Sequence, residues 1–181
     1  MHEVYTSFNC YKSVGALFLD FSRAFDVIDH SILIYKLKNY GFRGVCSKLI
    51  KSYLSNRLQF VYVNGIKSDL LDVNLGVPQG SILGPLFFIL YVNDHPSSLV
   101  SSSSIMYADD TTLLINDYNL PSLINKLEFE LKNISEWVLS NRLILNFSKT
   151  KLMIFSKKSI PPNMQLSFND MTIDRVDHHN F

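Results

Sequence analysis

Apolar residues recur along this chain in two rhythms, and the switches between them mark out its elements. Ala16-Leu17-Phe18-Leu19 is a short unbroken apolar run ending on Asp20, the pattern of a buried central strand. From Ser31 to Tyr40, Leu33, Leu37 and Tyr40 fall at helical spacing, and Gly41 stops the run. Val45, Leu49, Tyr53 and Leu54 mark a second helix, closed by Asn56. Gln59 to Asn64 and Leu70 to Leu75 are extended segments around Asn64-Gly65, a hairpin signal. A loop from Gly76 to Gly80 leads to a helix from Ser81, its candidate cap, to Val92. Ile105 to Tyr107 and Thr111 to Ile115 read as strands on either side of Asp109-Asp110. Pro121 opens a long amphipathic helix that turns Leu123, Leu127, Leu131, Ile134 and Val138 inward. Strands near Leu143 to Leu145 and Lys151 to Phe155 follow, and Leu166 to Ile173 forms a last hairpin around Asn169-Asp170. This order predicts an α+β layered fold with no internal repeat. The serines at 97–98 and 101–104 read as surface loop.

Composition adds bounds to that picture. The 181 residues, 47% hydrophobic and 18% charged, suit one globular domain with a proper core. Thirteen Phe and nine Tyr imply thick packing and some aromatic surface. The net charge of +1 does not announce a nucleic-acid binder, but the distribution is uneven. Lys36, Lys38, Arg43, Lys48, Lys51, Arg57 and Lys67 lie in a stretch without acids, as do Arg142, Lys149, Lys151, Lys157 and Lys158. Acids gather at Asp20 to Asp29 and Asp109 to Asp117. Such segregation fits a polyanion partner plus a metal site, and equally two solvated helix faces. Cys10 and Cys46 lack metal-ligand spacing and suggest a reduced, intracellular chain. No secretory signal precedes the first strand, and the longest apolar stretch, Ile82 to Val92, is too short to span a bilayer.

Candidate chemistry centres on Asp20, Asp109 and Asp110. Each adjoins an apolar run that contains no basic residue, and burying unpaired carboxylates is costly. Mg²⁺ removes the objection, because it prefers carboxylate oxygens while keeping waters and phosphates as its other ligands. Two such ions, roughly 3.5–4 Å apart, can serve phosphoryl transfer. A bare Asp-Asp pair is more often a turn, but the apolar flanks on both sides weaken that explanation.

Four segments resemble the palm motifs of non-LTR (LINE-like) retrotransposon reverse transcriptases, in family order. They are Phe18-Leu19-Asp20-Phe21-Ser22-Arg23-Ala24-Phe25-Asp26 with Asp29-His30, and Gly76-Val77-Pro78-Gln79-Gly80-Ser81-Ile82-Leu83-Gly84-Pro85 with Tyr91-Val92-Asn93-Asp94. Tyr107-Ala108-Asp109-Asp110 and Leu145-Asn146-Phe147-Ser148-Lys149-Thr150-Lys151 complete the set, and the pattern is most similar to the jockey-like branch. The resemblance implies a polymerase palm, an antiparallel sheet with helices packed on one face. It implies RNA-directed DNA polymerisation, in which a DNA primer 3′-OH on an RNA template attacks a dNTP. Asp20, Asp109 and Asp110 would be the catalytic and metal-binding residues, for two Mg²⁺ or, in their place, Mn²⁺. Phe25 would be the steric gate against a ribose 2′-OH, with Phe21, Gln79 and Gly80 also at the nucleotide. Tyr107 and Ala108 would lie against the primer end, and Lys149 would protonate the departing pyrophosphate. Asp26, Asp29 and His30 are read as structural hydrogen-bonding groups.

The expectation is a single partial domain over residues 1–181, its palm core at about 15–155, with fingers and thumb largely missing. Only 19 residues precede Asp20, with one Lys and no Arg, and Arg175-Val176-Asp177-His178-His179-Asn180-Phe181 resembles the approach to the primer grip. Without basic clamps the isolated chain should polymerise poorly. The partners expected are RNA template, DNA primer and dNTP, with no membrane, in the nucleus or cytoplasm. Two alternatives stay open. RNA-dependent RNA polymerases also carry paired aspartates, like Asp20 and Asp26, although Phe25 and Tyr107-Ala108-Asp109-Asp110 argue against them. A non-catalytic retroelement remnant would act at most as a nucleic-acid-binding module.

Overall fold

The apolar run before Asp20 forms strand β1 (Ser13–Asp20), flanked by β7 (Asp110–Asp117) and β8 (Lys151–Phe155), both antiparallel to it. The computed structural model describes residues 2–162, 164–169 and 171–177, apart from the side chains of His2, Glu3 and Phe8. Asp170 and residues 178–181 of the expected final hairpin and primer-grip approach lie outside the described residues. The chain divides into two compact units, one of residues 1–22 with 94–181 and one of residues 23–93.

In the first unit, β6 (Ser103–Tyr107), β9 (Leu166–Phe168) and β10 (Met171–Arg175) extend the sheet to six strands in the order β6-β7-β1-β8-β10-β9. All neighbours are antiparallel except β10 and β8. Helix α5 (Leu120–Ser140) lies on one face, packed on β1 and β7. Its stripe of Leu123, Leu127, Leu131, Ile134 and Val138 is buried, as the spacing predicts. Leu127 comes so close that a Cβ on Gly15 would stand 2.8 Å from its Cδ1, so a side chain at 15 would push helix and strand apart. The opposite face holds Val14, Ala16 and Leu114, met by Val4 of a short helix α1 (His2–Asn9) that the hydrophobic pattern does not mark.

Side chains alternate along a strand, so Asp20 shares this second face with Phe18, Ala16 and Val14. Two expectations change. Leu143–Leu145 is not a strand, since only Leu145 makes a bridge, to Phe21. The serine-rich stretch is partly regular, with a 3₁₀ turn at His95–Ser98 and Ser103 and Ser104 inside β6.

The second unit contains helices α2 (His30–Asn39), α3 (Gly44–Leu54) and α4 (Leu83–Val92), with α2 packed on the other two. Asp29 caps α2, its Oδ1 accepting from Ser31 N at 2.8 Å and Ile32 N at 3.1 Å. A cap of this kind contributes about 1 kcal/mol. Ser81 Oγ likewise accepts from Gly84 N at 3.0 Å. Between α3 and α4 runs an arm of two short ladders, β2 (Leu58–Gln59) with β5 (Leu71–Asp72) and β3 (Tyr62–Val63) with β4 (Ile66–Lys67). Asn64 at φ 50° and Gly65 at φ 82° turn the inner ladder, as the dipeptide predicts. Among the described residues no helix is long and apolar enough to cross a membrane.

Candidate active site

The eight-rung ladder between β1 and β7 fixes the central geometry of the first unit, placing Asp20 directly across from Asp110. Asp110 also pairs with Tyr107 in β6, so Ala108 and Asp109 form a two-residue turn at the hairpin tip. Ala108 takes φ 53°, a left-handed conformation that costs a side chain with a Cβ roughly 1–2 kcal/mol. Directly opposed Cβ atoms lie ~4.5–5.5 Å apart, so two carboxylates project from the same patch of sheet. Asp20, Asp109 and Asp110 are all half-buried.

A cation reaches this patch from the segment after α5. Ser22 N donates to Ile144 O and Asn146 N donates to Asp20 O, each at 2.8 Å, fastening that segment to the end of β1. The chain then folds on itself, with Lys149 N and Thr150 N both donating to Asn146 O. Lys149 Nζ is thereby placed 3.6 Å from Asp20 Oδ1, with 68% of its side chain exposed against 25% for Asp20. An ion pair this open contributes less than ~1 kcal/mol. Its value lies in position, and it supplies the basic partner missing from the local apolar runs.

Phe21 is buried, its ring tilted against Trp137 at 6.5 Å. Tyr107 is strongly exposed beside the turn.

The second unit brings together Phe25, Gln79 and Gly80. They share the lining of a cavity of about 500 Å³ with Pro78, Ser81 and Pro85. Phe25 packs on Phe88, ring centroids 4.8 Å apart. Gln79 Nε2 donates to Asp26 Oδ1 at 2.8 Å, and a carboxylate accepts only, so this contact turns the amide oxygen of Gln79 away from Asp26. Two glycines of this loop differ in purpose. A Cβ at Gly76 would sit 2.7 Å from Asp26 O, whereas Gly80 faces open space. His30 Nε2 lies 2.7 Å from Gly76 O and holds the same loop.

Two buried polar residues of the first unit escape the sequence reading. Glu130 accepts from Val100 N at 3.0 Å, from Ser101 Oγ at 3.0 Å and from Ser101 N, tying the loop before β6 to α5. Its signal was available, since position 130 falls on the apolar stripe of that helix. His95 is fully buried with its ring edge-on to Trp137 at 5.0 Å, and neither ring nitrogen has a hydrogen-bond partner among the described residues. Burial pulls its pKa from 6.5 down to about 4, against the opposing pull of Asp94.

The donors at the β1–β7 patch are hard carboxylate oxygens, the ligand type Mg²⁺ takes. In chemistry and ladder register Asp20 and Asp110 fit a divalent ion, with Asp109 adjacent in the turn. Among the described residues, however, no three His, Cys, Asp or Glu side chains converge as a ready-made metal cluster.

The chain resembles known proteins in sequence and in fold. The profile of the family described as reverse transcriptase (RNA-dependent DNA polymerase) matches residues 4–173. The RNA-directed DNA polymerase from mobile element jockey of Drosophila melanogaster is 31% identical over 154 residues, 81% of this chain and 17% of that protein. A probable RNA-directed DNA polymerase from the transposon X-element of the same fly is 30% identical, over 90% of this chain and 18% of its own length. The chain therefore spans less than a fifth of these relatives. Among solved structures, the apo telomerase of Candida tropicalis, truncated of its C-terminal domain, superposes with a TM-score of 0.65 at 14% identity, over 95% of this chain and 37% of that one. The telomerase of Candida albicans, in complex with a fragment of telomeric RNA, gives 0.62 at 15% identity.

Proposed function

From the premise that the chain belongs to the reverse transcriptase (RNA-dependent DNA polymerase) family, we propose that it is the partial palm of an RNA-directed DNA polymerase. In this reading it transfers a deoxynucleotide to the 3′-OH of a DNA primer on an RNA template. The observation that carries it is the register of Asp20 across from Asp110 with Asp109 in the adjoining turn. These three residues would hold two Mg²⁺ ions, or Mn²⁺ in their place. When bound, the ions supply an acidified attacking hydroxyl and counter-charge for the phosphates.

The chain's own groups set the rest. Tyr107, exposed, and Ala108, in the turn, offer a surface for the primer end. Lys149, exposed beside Asp20, would give a proton to the departing pyrophosphate. Phe25 crowds a ribose 2′-OH in the cavity it shares with Gln79 and Gly80. Gln79 presents its amide oxygen there to a hydroxyl or amino donor, and Phe21, next to Asp20 in the chain, would adjoin the nucleotide.

Two measurements test the proposal. Titration calorimetry of Mg²⁺ into the chain should show binding that Asp20→Asn and Asp110→Asn each abolish. Single-nucleotide addition to a DNA primer on RNA, slow in the isolated chain, should vanish in Asp109→Asn, and addition that survives this change overturns the assignment. One other reading is a palm that only holds nucleic acid, since among the described residues no three His, Cys, Asp or Glu side chains converge. Nucleic-acid binding with no Mg²⁺ uptake would establish that reading instead.

A further inference from the structure

The end of the sheet opposite Asp20 carries a second concentration of chemistry. Ser13 pairs with Asp117 and Val14 with Phe155, so the chain just before β1, just after β7 and just after β8 emerges at one edge of the first unit. These three segments bring together Tyr11, Lys12, Tyr118, Lys157 and Lys158. Lys12 Nζ lies 5.1 Å from the ring centre of Tyr118, and Lys157 Nζ lies 4.9 Å from that of Tyr11. Lys158 Nζ donates to Tyr118 O at 2.6 Å. The nearby acid Asp117 is already neutralised. Burial works against its charge, but Lys126 at 2.7 Å, Asn119 N and Ser122 Oγ hold its carboxyl down at about 2. Lys12, Lys157 and Lys158 thus bring three ammonium groups to one edge.

Its aromatics face solvent. Tyr11 is 74% exposed and Tyr118 is 59% exposed. Tyr11 also sits at φ 57°, just after α1, where Lys12 N reaches back to Ser7 O. Glycine is the usual residue at such a helix end, and a tyrosine there is held in a disfavoured conformation with its ring in water.

Lysines, two of them exposed and Lys12 half-buried, beside exposed aromatic rings match one kind of ligand well. Ammonium groups neutralise phosphates, and ring faces stack on bases that are not already paired. We propose that Tyr11, Lys12, Tyr118, Lys157 and Lys158 form a binding site for a single nucleic-acid strand, with phosphates on the lysines and unpaired bases on the tyrosines. The site is about 23 Å from Asp20 along β1, taking ~3.3 Å per residue. It is therefore separate from the carboxylates and can hold a strand remote from the reaction. RNA and DNA share the required chemistry.

The test is fluorescence anisotropy with labelled 20-mers of uridine and of thymidine, in EDTA so that the carboxylate site is silent. The variant K12E/K157E/K158E should lower affinity and flatten the slope of log K against log salt by about 2, three phosphate contacts at ~0.7 each. Tyr11→Ala with Tyr118→Ala should weaken binding at least about fivefold with the slope unchanged. Comparing the two oligomers tells RNA from DNA preference. An unchanged slope in the lysine variant overturns the proposal. So does wild-type affinity in the tyrosine variant, which would mean a generic polyanion contact. Binding to phosphatidylserine vesicles but not to either oligomer would assign the patch to a membrane surface. If the triple variant does not fold, K157Q/K158Q, which alters only two exposed side chains, carries the same reading with a slope change of about 1.4.

Discussion

His95 is fully enclosed in the first unit, against Trp137, and its ring nitrogens have no partner among the described residues. In the unfolded chain it titrates near 6.5, and in the folded chain burial brings that down to about 4. Between these values the unfolded state binds a proton that the native state refuses. The folded pKa is the depressed one, so His95 leaves stability intact above about pH 6.5 and erodes it as pH falls toward 4. The full loss is about 3 kcal/mol, of which about 2 kcal/mol falls between pH 7 and pH 5. For a chain of this size each kcal/mol moves the melting temperature ~2–4 °C, so the midpoint should drop by roughly 4–8 °C over that step. Carboxylates and other histidines titrate too, and a variant subtracts them. His95→Phe keeps a flat ring edge-on to Trp137 and removes two unpaired nitrogens. It should be at least as stable at pH 7 and should lose several degrees less on going to pH 5. Differential scanning fluorimetry of both proteins from pH 4.5 to 8 makes the comparison. Parallel curves for wild type and His95→Phe would refute the reasoning, because the buried ring would then be exchanging its proton freely in the native state.

Three further changes probe the two units. Gly76→Ala meets both φ 78° and Asp26 O at 2.7 Å, and should cost roughly 3 kcal/mol, read as a lower urea midpoint. Glu130→Ala removes charge-assisted bonds to Val100 and Ser101, two exposed residues, with a cost of roughly 1.5–3 kcal/mol and faster hydrogen exchange at those two amides. Asp110→Asn removes one of two like charges facing each other across a ladder. It should raise the metal-free melting point, by up to ~1 kcal/mol in stability, while erasing any stabilisation by Mg²⁺.

What could be seen in advance was what is local. The run ending at Asp20, the strands around Asp109-Asp110 and the stripe of α5 each need only neighbouring residues to declare themselves, and each forms as its period requires. Asn64-Gly65 is similar, because the turn chemistry is contained in the dipeptide. The ion pair of Lys149 with Asp20 has no local trace, since two main-chain bonds far along the chain create it. Leu143 to Leu145 looked like a strand on apolar content, but its backbone is committed to the residues after β1 and it makes a single bridge. Ser103 and Ser104 looked like loop because β6 is an edge strand, where polar side chains are tolerated. The resemblance named the site residues, yet the ladder register of Asp20 with Asp110 and the cavity that Phe25 shares with Gln79 emerge only from the fold.

The ladder between β1 and β7 also dictates which kinds of genetic change this chain survives. Eight consecutive rungs pair Ser13 with Asp117 at one end and Asp20 with Asp110 at the other. Exchanging one apolar residue for another within it costs a modest amount of packing. Adding or deleting one residue is different in kind, because every side chain beyond that point would change faces and the facing aspartates would part. The arm from residue 57 to 75 has the reverse character. Its ladders are only two rungs long and its apolar side chains are exposed, so length can drift there while the carboxylates keep their partners. Diverged copies of this sequence should therefore differ by substitution in β1 and β7 and by insertion or deletion in the arm.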